Sequence, residues 1–236
     1  MGIASLVLIG VLGFVAWAQT GVMQADDQLV AEVMSDPGIS VSEDGAAIVM
    51  APTGRASGVG LVFIPGAKVA PAAYLYKLSM AVKEGGLTVV ITKPILNLAF
   101  FDLRPLSRFT GEAPAVTIWF VGGHSLGGVR ACQYATQPQI EGLILFGSYC
   151  ANDLSQLDLK VLSISGSEDG LSTPQKVEGA AHLLPVNAGF VEIDGANHAG
   201  FGNYGEQPGD GSATVSDEHV RDVITRETLS VVSETQ

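Results

Sequence analysis

An α/β fold, with a mostly parallel central sheet flanked by helices, is what this sequence predicts. Three observations carry that expectation. Short continuous apolar runs such as Val59–Ile64 have the length and composition of strands buried on both faces. Stretches with apolar residues at helical spacing alternate with those runs from residue 59 to the end of the chain. A length of 236 residues with 47% apolar content is enough for one full core and fits a single catalytic or binding domain.

Residues 2–18 are uncharged and almost wholly apolar, long for the core of a signal peptide and just short of a comfortable membrane span. Ala16-Trp17-Ala18 offers a small-x-small cleavage site before Gln19, yet no Lys or Arg precedes it. A cleaved signal and a retained membrane anchor both fit, and either makes the protein extracytoplasmic, secreted or membrane-anchored. The division expected is therefore 1–18 as leader or anchor and 24–236 as the folded domain. A chain beginning near Gln24 is expected to be soluble and fully active, because no sheet strand and no candidate site residue lies before residue 38.

Residues 24–34 read as a short acidic amphipathic helix stopped by Asp36-Pro37-Gly38, followed by an opening hairpin over 39–41 and 46–51. The run Val59–Ile64 ends at Pro65-Gly66; residues 71–84 form a helix stopped by Gly85-Gly86, and 87–92 return as the next strand. A helix over 96–108 leads to a strand over 116–121, and a helix over 126–136 leads to a strand over 143–147. Strands over 160–165 and 190–194 enclose a helix over 174–184, and a helix over 217–232 closes the chain. The glycine-rich stretch 195–211 is the longest irregular segment, a length that compact domains usually reserve for function.

Twelve basic against 24 acidic residues give a net charge of -12, which repels nucleic-acid phosphates and excludes that class of partner. The acidic excess is scattered, as on a solvated surface. Cys132 and Cys150 are the only cysteines, too few for a disulfide scaffold and without the paired spacing of a zinc site. In an oxidising compartment they can form one bridge; two buried free thiols are the equal alternative. No metal or other cofactor is expected.

Gly123-His124-Ser125-Leu126-Gly127 lies between an expected strand and an expected helix. In a chain with 29 glycines the bare pattern arises by chance about 0.2 times, so the strand-turn-helix context carries the weight. It makes Ser125 the candidate nucleophile, on a turn whose flanking glycines spare a collision with backbone. A serine needs a neutral imidazole as base, and that imidazole needs an acid to hold its tautomer. Of four histidines, His198 alone follows a strand in a loop at the carboxyl end of the sheet; His124, His182 and His219 read as structural or exposed. Asp169, after the 160–165 strand, is the expected acid, with Glu168 as fallback and Asp194 less suited because it lies so near His198 in sequence. The N–H groups of Leu126 and Ala67 are the expected oxyanion donors, with Lys68 as runner-up. Lys68, Leu98, Phe101, Tyr149 and Phe201 are expected around an open apolar site without a cap domain. The alternative for Lys68 is a solvated side chain, and for Leu98 and Phe101 it is packing within a helix.

Pro65-Gly66-Ala67-Lys68-Val69, Gly122 through Gly128, Gly195 through Ala199 and Gly205 through Gly211 together resemble the α/β-hydrolase fold-5 family, related to dienelactone hydrolases. The similarity runs from about Gln28 to Val232 and is most specific around His198. It implies the α/β-hydrolase fold and a Ser125-Asp169-His198 triad in the chain order typical of that fold. Two departures stand out: Ala67 replaces a second glycine after Pro-Gly, and serine stands where dienelactone hydrolases carry cysteine, which argues against a dienelactone substrate. The expected function is a serine hydrolase that cleaves small carboxylic esters through an acyl-enzyme. Thioesterase or small-amide chemistry is the near alternative, and a catalytically silent exported binding module on the same scaffold is the distant one.

Overall fold

The computed structural model describes residues 3–235, so that Met1, Gly2 and Gln236, at the ends of the two expected segments, lie outside the described residues. Helices α1 (Ile3–Gln19) and α2 (Asp27–Ser35) precede an antiparallel hairpin of β1 (Ile39–Glu43) and β2 (Ala47–Pro52). There follow β3 (Val59–Ile64), α3 (Leu75–Lys83), β4 (Thr88–Thr92), α4 (Ser107–Thr110), β5 (Ile118–His124) and α5 (Leu126–Tyr134). The second half is β6 (Ile140–Phe146), β7 (Lys160–Gly166), α6 (Pro174–Ala180), β8 (Gly189–Ile193) and α7 (Asp217–Ser233). The eight strands among the described residues form one sheet in the order β1-β2-β4-β3-β5-β6-β7-β8, antiparallel at the β1-β2 and β2-β4 pairs and parallel elsewhere. Only residues 147–159 connect β6 to β7, and no cap domain is inserted there.

Strand β3 reads as an unbroken apolar run because each of its faces meets a different half of the core. Val59, Leu61 and Phe63 join a cluster with Tyr74, Leu78, Val82 and Ile224, from the α3 and α7 side. Val62 and Ile64 point the other way, into a cluster with Val121, Leu143, Ala131 and Phe109. Burial of each such side chain contributes about 1.5–3 kcal/mol, which fixes the register, since a one-residue slip would exchange the two faces.

The strand order positions the site. From β3 the chain moves one way to β4, then crosses back over to β5, so the turns that leave β3 and β5 sit side by side at the point where the winding reverses. Ligands of open α/β sheets bind outside the carboxyl ends of the strands at such a point.

The expected helix over 96–108 does not form. Two single turns of 3-10 helix (Ile95–Asn97 and Ala99–Phe101) and the four-residue α4 occupy that stretch. Leu96 and Asn97 have φ of 58° and 56°, a left-handed pair that no right-handed helix can contain, and Pro105 denies a helix its N–H.

Among the described residues no helix is long and apolar enough to cross a membrane. In α1 the side chains of Val7, Leu8, Ile9, Val11 and Leu12 are exposed, whereas Ala18 is fully buried. The end of α1 rests on the loop expected to border the site: Asn97 Nδ2 donates to Ala18 O at 3.2 Å, and the Phe14 and Phe101 rings meet edge-on with centroids 5.3 Å apart. The segment expected to stand apart from the domain thus touches, through its last turns, the loop expected to border the site.

Cys132, in α5, and Cys150, just after β6, form a disulfide with Cα atoms 5.6 Å apart. The bridge closes a loop across 18 residues, which by the chain-entropy relation stabilises the fold by about 3 kcal/mol. Cys132→Ser paired with Cys150→Ser is expected to lower the melting temperature by roughly 6–12 °C, measured by circular dichroism. An unchanged midpoint would mean that the bridge constrains nothing that unfolding releases.

Candidate active site

Ser125 sits between β5 and α5 with φ 53° and ψ −126°, a strained conformation for a residue with a β-carbon. Its neighbours make that turn possible. A Cβ on Gly123 would lie 2.5 Å from the Gly127 carbonyl carbon, and one on Gly127 would lie 2.1 Å from Ile64 O. The turn therefore presses directly against the end of β3, and any side chain at Gly127 would push the two strand ends apart. Ser125 O accepts from Ser148 Oγ at 2.6 Å and from Gly128 N at 3.0 Å, which ties the turn to the end of β6 as well.

His198 follows β8 and Asp169 follows β7, and the two meet in the interior: His198 Nδ1 lies 2.7 Å from Asp169 Oδ2, with both side chains fully buried. A carboxylate only accepts, so Nδ1 carries a proton, and in the neutral imidazole Nε2 is then the nitrogen that presents its lone pair. Asp169 is itself held, because its Oδ1 accepts from Leu171 N at 2.8 Å and Ser172 N at 2.6 Å. His198 Nε2 has no hydrogen-bond partner among the described residues, and no hydrogen bond joins it to Ser125 Oγ. Catalytic hydrogen bonds are often long before substrate binds and tighten in the complex. The fallback acids lie elsewhere: Glu168 and Asp194 are exposed, the latter accepting from Ser167 Oγ at 3.4 Å.

The N–H groups expected to form the oxyanion site lie on the two adjacent strand ends. Leu126 opens α5, and Ala67 lies in the turn after β3; neither N–H is spent on an acceptor among the described residues. The Lys68 N–H is spent, on Asn97 O at 2.8 Å, which removes the runner-up.

The expected substrate contacts divide. Phe101 is 50% exposed and Tyr149 is half-buried, so both have surface to offer. Lys68 extends over the Trp17 ring, 4.4 Å from its centroid, and is committed to α1. Leu98 and Phe201 are corrections. Leu98 is buried between the two 3-10 turns that replace the expected helix. Phe201 is fully buried because the turn after His198 directs its ring inward onto Phe146 and His124, with centroids 6.0 Å away in each case. His182 and His219 are exposed, whereas His124 is fully buried beside His198.

Asp210, within the Gly205–Gly211 stretch that carries the family resemblance, is a further residue of the site for which no role was expected. Asp210 Oδ1 accepts from Gly170 N, His198 N and Gly211 N at 3.1, 3.0 and 2.8 Å, and its Oδ2 accepts from Ala199 N at 2.8 Å. It clamps the loop that carries His198 onto the loop that carries Asp169. The signal was the Gly209-Asp210-Gly211 triplet, since a Cβ at Gly211 would lie only 2.0 Å from Glu168 O. Hydrogen bonds to a charged group contribute about 1.5–3 kcal/mol each and are not additive. Asp210→Ala is expected to loosen both loops and to cost about 2–4 kcal/mol in urea unfolding. A variant with wild-type stability would show that the clamp is dispensable.

Residues 60–222 match the alpha/beta hydrolase family, and the chain belongs to it. Its fold is shared by an α/β serine hydrolase without a lid from Xanthomonas campestris (TM-score 0.58, 15% identity, 81% of this chain and 94% of that one). It is shared also by the esterase domain of a Rhodothermus marinus protein (TM-score 0.57, 16% identity, 81% and 97%). An α/β serine hydrolase homologue from Coxiella burnetii matches likewise (TM-score 0.57, 15% identity, 82% and 98%). No curated protein matches the sequence at a significant level.

Proposed function

We propose that this α/β hydrolase is a serine esterase that cleaves small carboxylic esters through an acyl-enzyme, with Ser125 as nucleophile, His198 as base and Asp169 as the group that orients the imidazole. The observation that carries the reading is the buried 2.7 Å contact between Asp169 Oδ2 and His198 Nδ1, which leaves Nε2 without a hydrogen-bond partner among the described residues. In this reading Nε2 takes the Ser125 hydroxyl proton as Oγ attacks the ester carbonyl, and the Leu126 and Ala67 N–H groups receive the charge that develops on the carbonyl oxygen. The protonated imidazole then gives its proton to the leaving alkoxide, and water repeats the cycle on the acyl-serine.

An ester is favoured by the surroundings: Phe100, Phe101 and Leu103 are exposed on the 95–103 segment and offer apolar surface to an acyl chain. For the compartment we propose export, supported by the uncharged α1 and by a disulfide of the kind that oxidising compartments maintain. Hydrolysis of p-nitrophenyl esters of graded chain length tests the activity. The expected result is a pre-steady-state burst of p-nitrophenol equal to the enzyme concentration, followed by slower turnover. Absence of hydrolysis across the panel would count against the esterase. A silent binding module shares one feature, the lack of a Ser125–His198 hydrogen bond, and would give no burst with any ester.

A further inference from the structure

His124 belongs to no step of that reaction, yet it is the residue before the proposed nucleophile and is completely buried. Its ring centroid lies 4.3 Å from that of His198, and its Nδ1 lies 2.9 Å from the Tyr74 hydroxyl. Tyr74, also fully buried, accepts at the same hydroxyl from Gly66 N at 2.9 Å. A phenol has one proton, and with the Gly66 N–H pointing at its oxygen that proton goes to His124 Nδ1, the other polar atom in reach. A continuous chain thus runs from the Gly66 N–H through Tyr74 to His124, with the imidazole proton on Nε2. The packing is equally tight: a Cβ on Gly66 would lie 2.9 Å from His124 Nδ1 and 3.3 Å from the Tyr74 oxygen.

The chain joins two parts of the site that are otherwise separate. Gly66 precedes Ala67 in the turn after β3, and His124 precedes Ser125 and Leu126 in the turn after β5. The two proposed oxyanion donors therefore sit at opposite ends of one buried hydrogen-bond relay. Burial holds the His124 pKa well below its usual value, with the positive charge of a protonated His198 as a second cause. Burial likewise raises that of Tyr74. Both stay neutral, so the relay keeps its protons where they are while His198 cycles.

We propose that His124 and Tyr74 are positioning residues that set the Gly66–Ala67 peptide opposite the Leu126 N–H, and so fix the geometry of the oxyanion site. The proposal rests on the esterase reading above. It separates binding from chemistry: a displaced donor is missed by the transition state far more than by the ground-state ester.

The test uses the full chain, with active sites counted by fluorophosphonate titration so that misfolded protein does not enter the rate. Tyr74→Phe keeps the ring and removes both hydrogen bonds. It is expected to lower kcat per titrated site about 10- to 100-fold, below the roughly 10²–10³ of outright donor loss, with KM changed less than about twofold. His124→Leu should match it. His124→Asn, which returns an amide oxygen near the place of Nδ1, should recover most of kcat, and the double variant should be no slower than either single one. Affinity for a trifluoromethyl ketone, which forms an oxyanion on Ser125, should fall in step with kcat. Unchanged kcat in Tyr74→Phe, beside a wild type whose hydrolysis depends on Ser125, would overturn the relay alone; a loss of kcat with undiminished affinity for the ketone would do the same. A wild type without Ser125-dependent hydrolysis would overturn the esterase reading itself, and the relay with it.

Discussion

Ser125→Ala is expected to abolish ester hydrolysis, by roughly 10⁴–10⁶ in kcat, while the protein keeps its fold. Alanine deletes only Oγ, and no hydrogen bond of Ser125 that ties the turn down uses that atom: the contacts to Phe146, Gly128 and Ser148 are all made by backbone. The strained φ of 53° stays as costly for alanine as for serine, so stability should change little. His198→Ala should be as severe, and combining the two should add nothing, because nucleophile and base act as one unit. Steady-state rates together with circular dichroism spectra check both halves of the expectation. Substantial hydrolysis by either variant would remove that residue from the mechanism.

Asp169→Asn is the second large effect, on the order of 10⁴ in kcat. The substitution is almost isosteric, and the oxygen that accepts from Leu171 N and Ser172 N can be kept as the amide oxygen. What changes is the atom facing His198 Nδ1. An amide nitrogen there donates, so the imidazole must turn Nδ1 into an acceptor and place its proton on Nε2, the atom that has to receive the serine proton. The variant should bind ester with near-normal KM and turn it over very slowly. Glu168→Gln, on an exposed side chain next door, is expected to change kcat by less than about twofold. A larger loss in Glu168→Gln than in Asp169→Asn would make Glu168 the acid.

The elements that could be read from sequence are those whose environment is local or symmetric. Strand β3 was legible to its last residue because burial on both faces writes a continuous apolar run. The turn at Ser125 was legible because close backbone approach demands glycine at fixed spacing, and the meeting of Asp169 with His198 because each lies in a loop that leaves a strand at the same edge of the sheet. What stayed hidden depends on partners distant in sequence. Leu98 and Phe101 have the apolar spacing of a helix, but the left-handed conformations of Leu96 and Asn97 are stabilised by contacts outside that segment, such as the Asn97 O bond to Lys68 N. Phe201 looked like rim because it lies in a glycine-rich loop, and it is core because that loop folds back over Phe146. Beyond the glycines that flank Asp210, the roles of Asp210 and His124 were not legible, since the partners that define them lie 11 to 50 residues away: His198, Ala199 and Gly170 for the one, Tyr74 for the other.

Residues 3–19 illustrate the same limit. Their composition marks an apolar, uncharged helix, but nothing in it indicates that Phe14, Trp17 and Ala18 would meet Phe101, Lys68 and Asn97.

The central claim is that Ser125 is an activated nucleophile, and covalent labelling tests it most directly. Incubation of the folded protein with a fluorophosphonate probe, followed by intact-mass and peptide mass spectrometry, is expected to show one probe per chain, carried by the peptide that contains Ser125. Labelling should be lost in His198→Ala, where the base is absent and the hydroxyl is no stronger a nucleophile than any other serine. Folded wild-type protein that remains unlabelled, or that carries the probe on another residue, would contradict the account.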